Sequence, residues 1–341
     1  MTSTSSPNPA TPRTSRRIVG ISLVILAALI AAFFVFASLY TEFLWYDQLG
    51  FTAVLTTQWF ATALMFVVGF LGMAVPLFVA IQLAYRLRPV YVRLSSQLDR
   101  YQEVIEPLRR LAMWGMPIFF GLFAGFSAAS QWKTVWLWAN GVATDAVDPQ
   151  FGIDTGFYMF AMPFYSILLA FISAVLVLCL LVTALVSYLY GSVRIGQGEL
   201  RISKPARIQL AVIAGLYLLV QAASLWLDRY KTLVADEDRI TGAAYTSVNA
   251  TIPGLAIVAV IAAVVAVLFF VTAIIGRWRF PLAGTALLIV ASLVVGVGYP
   301  WVVNTFQVQP NRFTLEEEYY QRNVDMTHEA YGVDGDRKSV V

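Results

Sequence analysis

The sequence of 341 residues has little charge, one cysteine and one histidine. Asp, Glu, Lys and Arg together make up 13% of it, about half of the ~25% that is usual in soluble globular proteins. A lone cysteine, Cys179, excludes a disulfide within the chain, and with the lone histidine, His328, it makes a poor zinc site. The common nucleotide, zinc and hydrolase motifs are also absent. No cofactor and no metal site are therefore predicted, and no residue set identifies a reaction or a transported substrate.

The apolar residues are concentrated in seven windows that contain no Asp, Glu, Lys or Arg. A bilayer core of ~30 Å needs about 20 apolar residues as a helix, and backbone amides in lipid must be satisfied within their own segment. The sequence therefore predicts an all-α polytopic membrane protein with seven transmembrane helices. The predicted spans are 18–40, 60–85, 111–132, 163–190, 208–227, 253–276 and 280–303.

The positions of Lys and Arg predict the orientation of these spans. The N-terminal tail and the second, fourth and sixth loops contain 15 basic residues, whereas the opposite side contains 8. Because basic residues are retained in the cytoplasm, we expect the N-terminus inside, the C-terminus outside, and a multi-pass location in a bacterial plasma membrane.

The first 17 residues are rich in Ser, Thr and Pro, which predicts a disordered cytoplasmic tail. The apolar run after them has 23 residues, longer than the 7 to 15 of a cleaved signal peptide. It is therefore predicted to be an uncleaved signal anchor and the first helix of a transmembrane domain over 18–303.

Two features within the spans predict helix packing. Gly121, Gly125 and Ala129 recur at four-residue spacing, which lets two helix backbones approach closely. Packing within the bundle is favoured over homodimerisation. Gln221 lies deep in the fifth span and needs an interhelical partner, so a helix-helix hydrogen bond is favoured over a substrate contact.

The second inner loop, 86–110, combines an apolar face at helical spacing with several arginines. Such an amphipathic helix is predicted to lie on the anionic inner leaflet of the bilayer. A docking face for a cytoplasmic partner is the alternative, and no nucleic-acid partner is expected.

The predicted outer loops contain most of the acidic residues. We single out Glu42, Asp47, Asp148, Asp154 and Asp228 as candidate outer-face sites. Grouped carboxylates could bind divalent cations or act as acid and base on a lipid-linked substrate. Solvated loop charge is the favoured interpretation, because no spacing brings any two of them together.

Several stretches on this side are typical of one family. They are LWY at 44–46 with LGF at 49–51, DPQFGIDTGFYMF at 148–160 with MPF at 162–164, LDRY at 227–230, AYT at 244–246 with Asn249 and Ala250, YP at 299–300, and VQPN at 308–311. Taken together they resemble uncharacterised protein family one-eight-two, large bacterial membrane proteins. The tail 322–332 is also similar to the family's segment, although His328 stands where Arg is usual.

The resemblance implies seven N-terminal spans followed by a large extracytoplasmic domain. Residues 304–341 are then the start of that domain, and the sequence predicts an incomplete domain, as in a piece of a longer protein or a diverged short form. The family-like stretches lie mostly in outer loops, which suggests that these loops form a platform for the outer domain.

The sequence thus favours a membrane anchor and platform for an envelope-facing domain. Its partners would be the bilayer and the chain's own outer domain. A transporter or channel component is one alternative. A membrane enzyme acting on lipid-linked substrates at the outer face is another.

Overall fold

The computed structural model of the protein describes residues 13–88, 96–196, 199–236 and 241–333. The chain divides into two compact units, one over the first 63 residues and one from Leu64 onward. The first unit contains helix α1 (Arg13–Gln48), a turn, and the beginning of α2 (Thr52–Arg86). The apolar side chains of α1 are exposed on all sides, Leu23 by 61% and Phe34 by 67%, as is typical of a helix surrounded by lipid.

The second unit is a bundle of long helices that continues from α2. Its helices are α3 (Ser96–Ser130), α4 (Trp132–Ala139), α5 (Met162–Leu189), α6 (Lys204–Lys231), α7 (Ile252–Ile275), α8 (Arg279–Leu293), α9 (Tyr299–Val302) and α10 (Arg312–Tyr331). A short antiparallel hairpin, β1 (Val193–Gly196) and β2 (Glu199–Ile202), connects α5 to α6 with Val193 opposite Ile202.

Seven helices or helical runs in the described residues are long and apolar enough to cross a membrane, which confirms the predicted fold class. The observed helices extend beyond most of the predicted ends; the fifth, for example, runs over Lys204–Lys231. An uncharged window marks only the part of a helix that is suited to hydrocarbon, whereas the helix itself continues over charged residues at both ends.

The seventh helical run is unusually long, because it continues from Arg279 to Tyr331 over 53 residues. At 1.5 Å per residue it measures about 80 Å, more than twice the ~30 Å core of a bilayer. The sequence predicted a span over 280–303 only. Its second half, α10, is polar and extends beyond the membrane-spanning part.

In the described part of the chain four π-helical segments begin or interrupt the long helical runs, and each precedes a proline. They are Phe157–Ala161 before Pro163, Ser247–Thr251 before Pro253, Val294–Gly298 before Pro300, and Val303–Val308 before Pro310. Proline lacks an N–H, and its ring collides with the carbonyl four residues earlier. In all four cases that carbonyl belongs to the π-helical segment, where the wider turn relieves the collision.

The bundle has two main apolar cores. One joins α2, α3 and α5 around Leu77, Ala124 and Cys179, and the other joins α6 and α7 around Ala211 and Ala266. The outside of the bundle is also apolar: Phe123 on α3 is 63% exposed, Ile274 on α7 82% and Leu287 on α8 61%. A surface of this kind is suited to hydrocarbon and not to water.

The predicted amphipathic helix of the loop 86–110 lies partly outside the described residues. Residues 89–95 are not described, and 96–110 form the first turns of α3. The predicted contact between this loop and anionic lipid therefore stays a prediction.

Candidate functional site

The loop before α5 is built around the buried carboxylate of Asp148, which is 7% exposed. Its Oδ1 accepts the backbone N–H groups of Gln150 and Phe151, at 2.8 and 2.5 Å. Its Oδ2 accepts the N–H of Ile153 and the hydroxyl of Tyr158, both at 2.9 Å. Gly152, with φ +67°, allows the sharp turn of the backbone between Phe151 and Ile153. Asp148 therefore fixes the fold of this loop and its attachment to the π-helical start of the fourth span.

Asp154 closes the same loop. It accepts the backbone N–H of Gly156 at 2.7 Å, and both the N–H and the hydroxyl of Thr144 at 3.1 Å. Desolvation favours the protonated carboxyl, but these hydrogen bonds outweigh it and hold the pKa of Asp154 below its ordinary value. Asp154 is thus an ionised acceptor that connects residue 144 to the start of the helix.

The third acidic candidate, Asp228, lies in the last turn of α6 and pairs with Lys231 at 2.6 Å. Its neighbour Arg229 joins α6 to the loop: the guanidinium lies over the ring of Trp226, 4.3 Å from its centroid, and 5.7 Å from that of Phe151. In the described residues no three His, Cys, Asp or Glu side chains could together hold a metal ion.

Glu42 and Asp47 belong to the first unit, on α1. Glu42 is half-buried and Asp47 is exposed. The carbonyl of Asp47 accepts the N–H of Gly50 at 3.1 Å in the turn before α2.

Helix α10 packs against the loop between α6 and α7. The side-chain amide of Asn323 donates to the carbonyl of Thr241 at 2.8 Å. The amide of Asn249 donates to the hydroxyl of Tyr319 at 3.3 Å, and the ring of Tyr319 meets that of Tyr245 edge to face, with centroids 6.3 Å apart. The exit from the last span is therefore held at the same end of the bundle as the Asp148 loop, the predicted outer end.

These segments line an open pocket of about 360 Å³, which we call the outer pocket. Its walls come from the Asp148 loop, the start of the fourth span, the loop between α6 and α7, and α10. They include Asp148, Tyr158, Val234, Thr241, Tyr319 and Asn323. That α10 forms one wall could not be predicted from the sequence. The one signal in the sequence was that the family-like stretches, 322–332 included, are predicted on the same side of the membrane.

The candidate packing residues lie between α2 and α3. A Cβ built on Gly121 would lie 3.0 Å from the Cβ of Ala74, and one on Gly125 would lie 2.9 Å from Phe66 Cε2. Ala129, one turn further, is buried. Because the two glycines have no side chain, α2 and α3 can approach each other closely within the bundle.

The side-chain amide of Gln221 both accepts and donates a hydrogen bond. Its Oε1 accepts the hydroxyl of Ser173 on α5 at 3.4 Å, and its Nε2 donates to the hydroxyl of Tyr217 at 2.9 Å. The structure thus places it between α5 and α6.

A second polar group in the bundle, Gln209, was not singled out from the sequence. It is 7% exposed and donates to the carbonyl of Ala80 on α2 at 2.9 Å and to the hydroxyl of Thr183 on α5 at 3.2 Å. Gln209 therefore joins three helices, α2, α5 and α6, at the predicted inner half of the bundle. Its position near a span end concealed this role in the sequence.

The fold and this site define a multi-helix protein whose described residues include seven helices suited to a membrane and a pocket lined by loops and α10 at one end of the bundle. The chain belongs to the family described as "Uncharacterised protein family (UPF0182)", whose model matches residues 19–339. The resemblance noted from the outer-loop motifs is therefore confirmed.

Curated relatives match almost the whole chain. A UPF0182 protein of Leifsonia xyli is 56% identical over 332 residues, 97% of this chain and 34% of the relative. One of Clavibacter michiganensis is 56% identical over 98% of this chain and 34% of its own length, and one of Arthrobacter sp. is 43% identical over 97% and 33%. The chain thus spans about a third of the length of these relatives. No solved structure matches it.

Proposed function

We propose that this chain is the membrane module of a bacterial plasma-membrane protein, and that its outer end is a platform for an extracytoplasmic domain. The observation that carries the proposal is the attachment of α10 to the loop between α6 and α7. A helix that leaves the last span and packs at once on the neighbouring loop is suited to transmit a fixed orientation to whatever follows it.

The polar contacts of the outer end support a structural role over a catalytic one. Asp148 accepts four hydrogen bonds, and Asp154 accepts hydrogen bonds from three donors, the N–H and hydroxyl of Thr144 and the N–H of Gly156. A carboxylate so engaged has few lone pairs left for a cation or for proton transfer. The two acids instead hold the loop that forms one wall of the outer pocket.

The attachment of α10 can be tested by cross-linking. In a Cys179→Ala background, Thr241→Cys is combined with Asn323→Cys, and membranes are treated with a short bismaleimide. The matched control combines Thr241→Cys with Val333→Cys, ten residues and about 15 Å further along the chain. We expect cross-linking of the first pair and little of the second; equal yields would contradict the proposal.

The side of the membrane needs its own test. Val333→Cys and Leu87→Cys, each in the Cys179→Ala background, lie beyond opposite ends of the spans. In intact cells a membrane-impermeant maleimide should label Val333→Cys and leave Leu87→Cys unlabelled until the membrane is opened. The reverse pattern would place the platform in the cytoplasm and overturn the proposal.

A further inference from the structure

A groove runs along the outside of the bundle between α2, α5 and α6. It consists of two adjoining cavities of about 340 and 350 Å³, both bordered by Leu83, Ile208 and Gln209. One cavity reaches Leu87 and Lys204 at the predicted inner end, and the other reaches Pro76 and Val175 deeper in the bundle. We call the two together the inner groove.

The inner groove has a closed floor and an open side. Ala80, Cys179 and Gln209 in its floor are 6, 5 and 7% exposed. Along its rim, Val79 is 53% exposed and Leu83 is 43% exposed. These rim residues lie in the uncharged part of α2, so the open side faces the region where hydrocarbon is expected.

The length of the inner groove matches one leaflet. Leu87 directly follows the last residue of α2, so the chain advances eleven residues from Pro76 to Leu87, which corresponds to about 16 Å at the helical rise. Half of a bilayer core of ~30 Å is about 15 Å. An extended acyl chain that enters at Leu87 would therefore reach the depth of Pro76, near the middle of the membrane.

Positive charge lies at the mouth of the groove. Lys204, the first residue of α6, forms part of its wall and is exposed. No acidic residue is among the described residues that line the two cavities. The mouth therefore favours an anion, and the positive end of the α6 dipole adds to this.

We propose that the inner groove binds one phospholipid with an anionic headgroup. One acyl chain lies in the groove over Cys179 and Gln209, and the headgroup, with its net negative charge, lies at Lys204. The proposal requires insertion in a membrane, but it does not depend on the platform at the other end of the bundle.

Lipid retention by the purified chain tests the proposal. The protein is delipidated in detergent, supplied with phosphatidylglycerol or phosphatidylcholine of identical acyl chains, and examined by native mass spectrometry. One retained phosphatidylglycerol per chain is expected, at about fivefold higher affinity than phosphatidylcholine, since one lysine near an anionic lipid surface contributes about that factor. Equal retention of the two lipids would overturn the proposal.

Matched variants separate the headgroup contact from the chain contact. Lys204→Gln should abolish the preference for phosphatidylglycerol, whereas Lys133→Gln, at the predicted outer end, should keep it. Val212→Trp fills the groove and should reduce retention of both lipids, whereas Val260→Trp, on an exposed position of α7, should not. Leu83→Trp provides a second groove-filling variant if Val212→Trp is not monodisperse.

Two outcomes of these variants would contradict the site. If Lys133→Gln loses the preference for phosphatidylglycerol to the same extent as Lys204→Gln, the preference comes from the overall positive charge of the protein and not from a binding site at Lys204. Unchanged retention in the folded groove-filling variant would place the acyl chain elsewhere. Because these measurements are made in detergent, their failure is distinguishable from failure of the platform, which is tested by cross-linking of α10.

Discussion

The hydroxyl of Tyr158 donates a hydrogen bond of 2.9 Å to Oδ2 of Asp148, and both residues are more than nine-tenths buried. This bond joins the loop after α4 to the π-helical start of the fourth span. It explains how a loop of polar and glycine residues can form a fixed wall of the outer pocket.

We expect Asp148→Asn to destabilise the protein. An amide keeps one acceptor oxygen, so two of the four donors lose their partner, and each buried donor left unpaired costs about 1 to 3 kcal/mol. The measurement is the unfolding midpoint in mild detergent. Asp145→Asn is the matched control, because Asp145 is exposed, and its φ of 60° is one that Asn adopts readily. Tyr158→Phe, which removes one hydrogen bond, should have a smaller effect than Asp148→Asn.

A pH dependence follows from Asp154. Its pKa is lower in the folded protein than in the unfolded chain, so its ionised form contributes stability that is fully present above the unfolded pKa of ~3.9. That stability is lost as the pH falls through the lowered folded pKa. We expect the unfolding midpoint of the wild type to decrease below about pH 4 more steeply than that of Asp154→Asn. Parallel pH profiles for the two proteins would contradict this prediction.

Replacing two glycines of α3 by alanine should change the stability of the protein in different ways. In Gly125→Ala the new Cβ would lie 2.9 Å from Phe66 Cε2 and 3.0 Å from the Phe66 carbonyl oxygen, so we expect a loss of about 1 to 3 kcal/mol through overpacking. Around Gly115, on the same helix, no heavy atom lies within 4 Å of a built Cβ. Gly115→Ala should be neutral or stabilising, since alanine favours the helix. Unfolding in a graded detergent titration compares the two, and equal effects would refute α2–α3 contact at Gly125.

Gln221→Leu is expected to have a small effect on stability. Its interhelical bond to Ser173 is long, 3.4 Å, and such bonds in membrane proteins average about 0.6 kcal/mol. The same detergent titration measures it, with Ser173→Ala as the variant that removes the partner. If Gln221 contacts a transported solute instead, liposomes containing Gln221→Leu would show an altered flux at unchanged stability.

Much of the fold could be predicted because membrane insertion depends on local composition. Each predicted span lacks Asp, Glu, Lys and Arg over 20 residues or more, and no folded context is needed to recognise that. The helix ends could not be predicted in the same way, because residues such as Arg312 and Glu316 continue a helix outside the apolar window and stabilise it by an i to i+4 ion pair of 2.7 Å.

The acids of the outer loops show where prediction from sequence stopped. Asp148 and Asp154 were identified as candidates, and solvated charge was the favoured interpretation. The structure places Asp148 in a buried cage of its own backbone N–H groups, which no spacing rule for paired carboxylates describes. The carboxylate binds donors at positions 150, 151 and 153, and these converge only because Gly152 reverses the chain.

The sequence alone was enough to predict the seven apolar helices, the family and the loops in which the acidic candidates lie. All three depend on residues that are close together in the chain. That α10 forms a wall of the outer pocket and that Gln209 joins three helices became visible only in the folded protein. Asn323 and Thr241 are 82 residues apart, and Gln209 and Ala80 are 129 apart. Contacts of this kind arise from the packing of whole helices, which the composition of each helix leaves open.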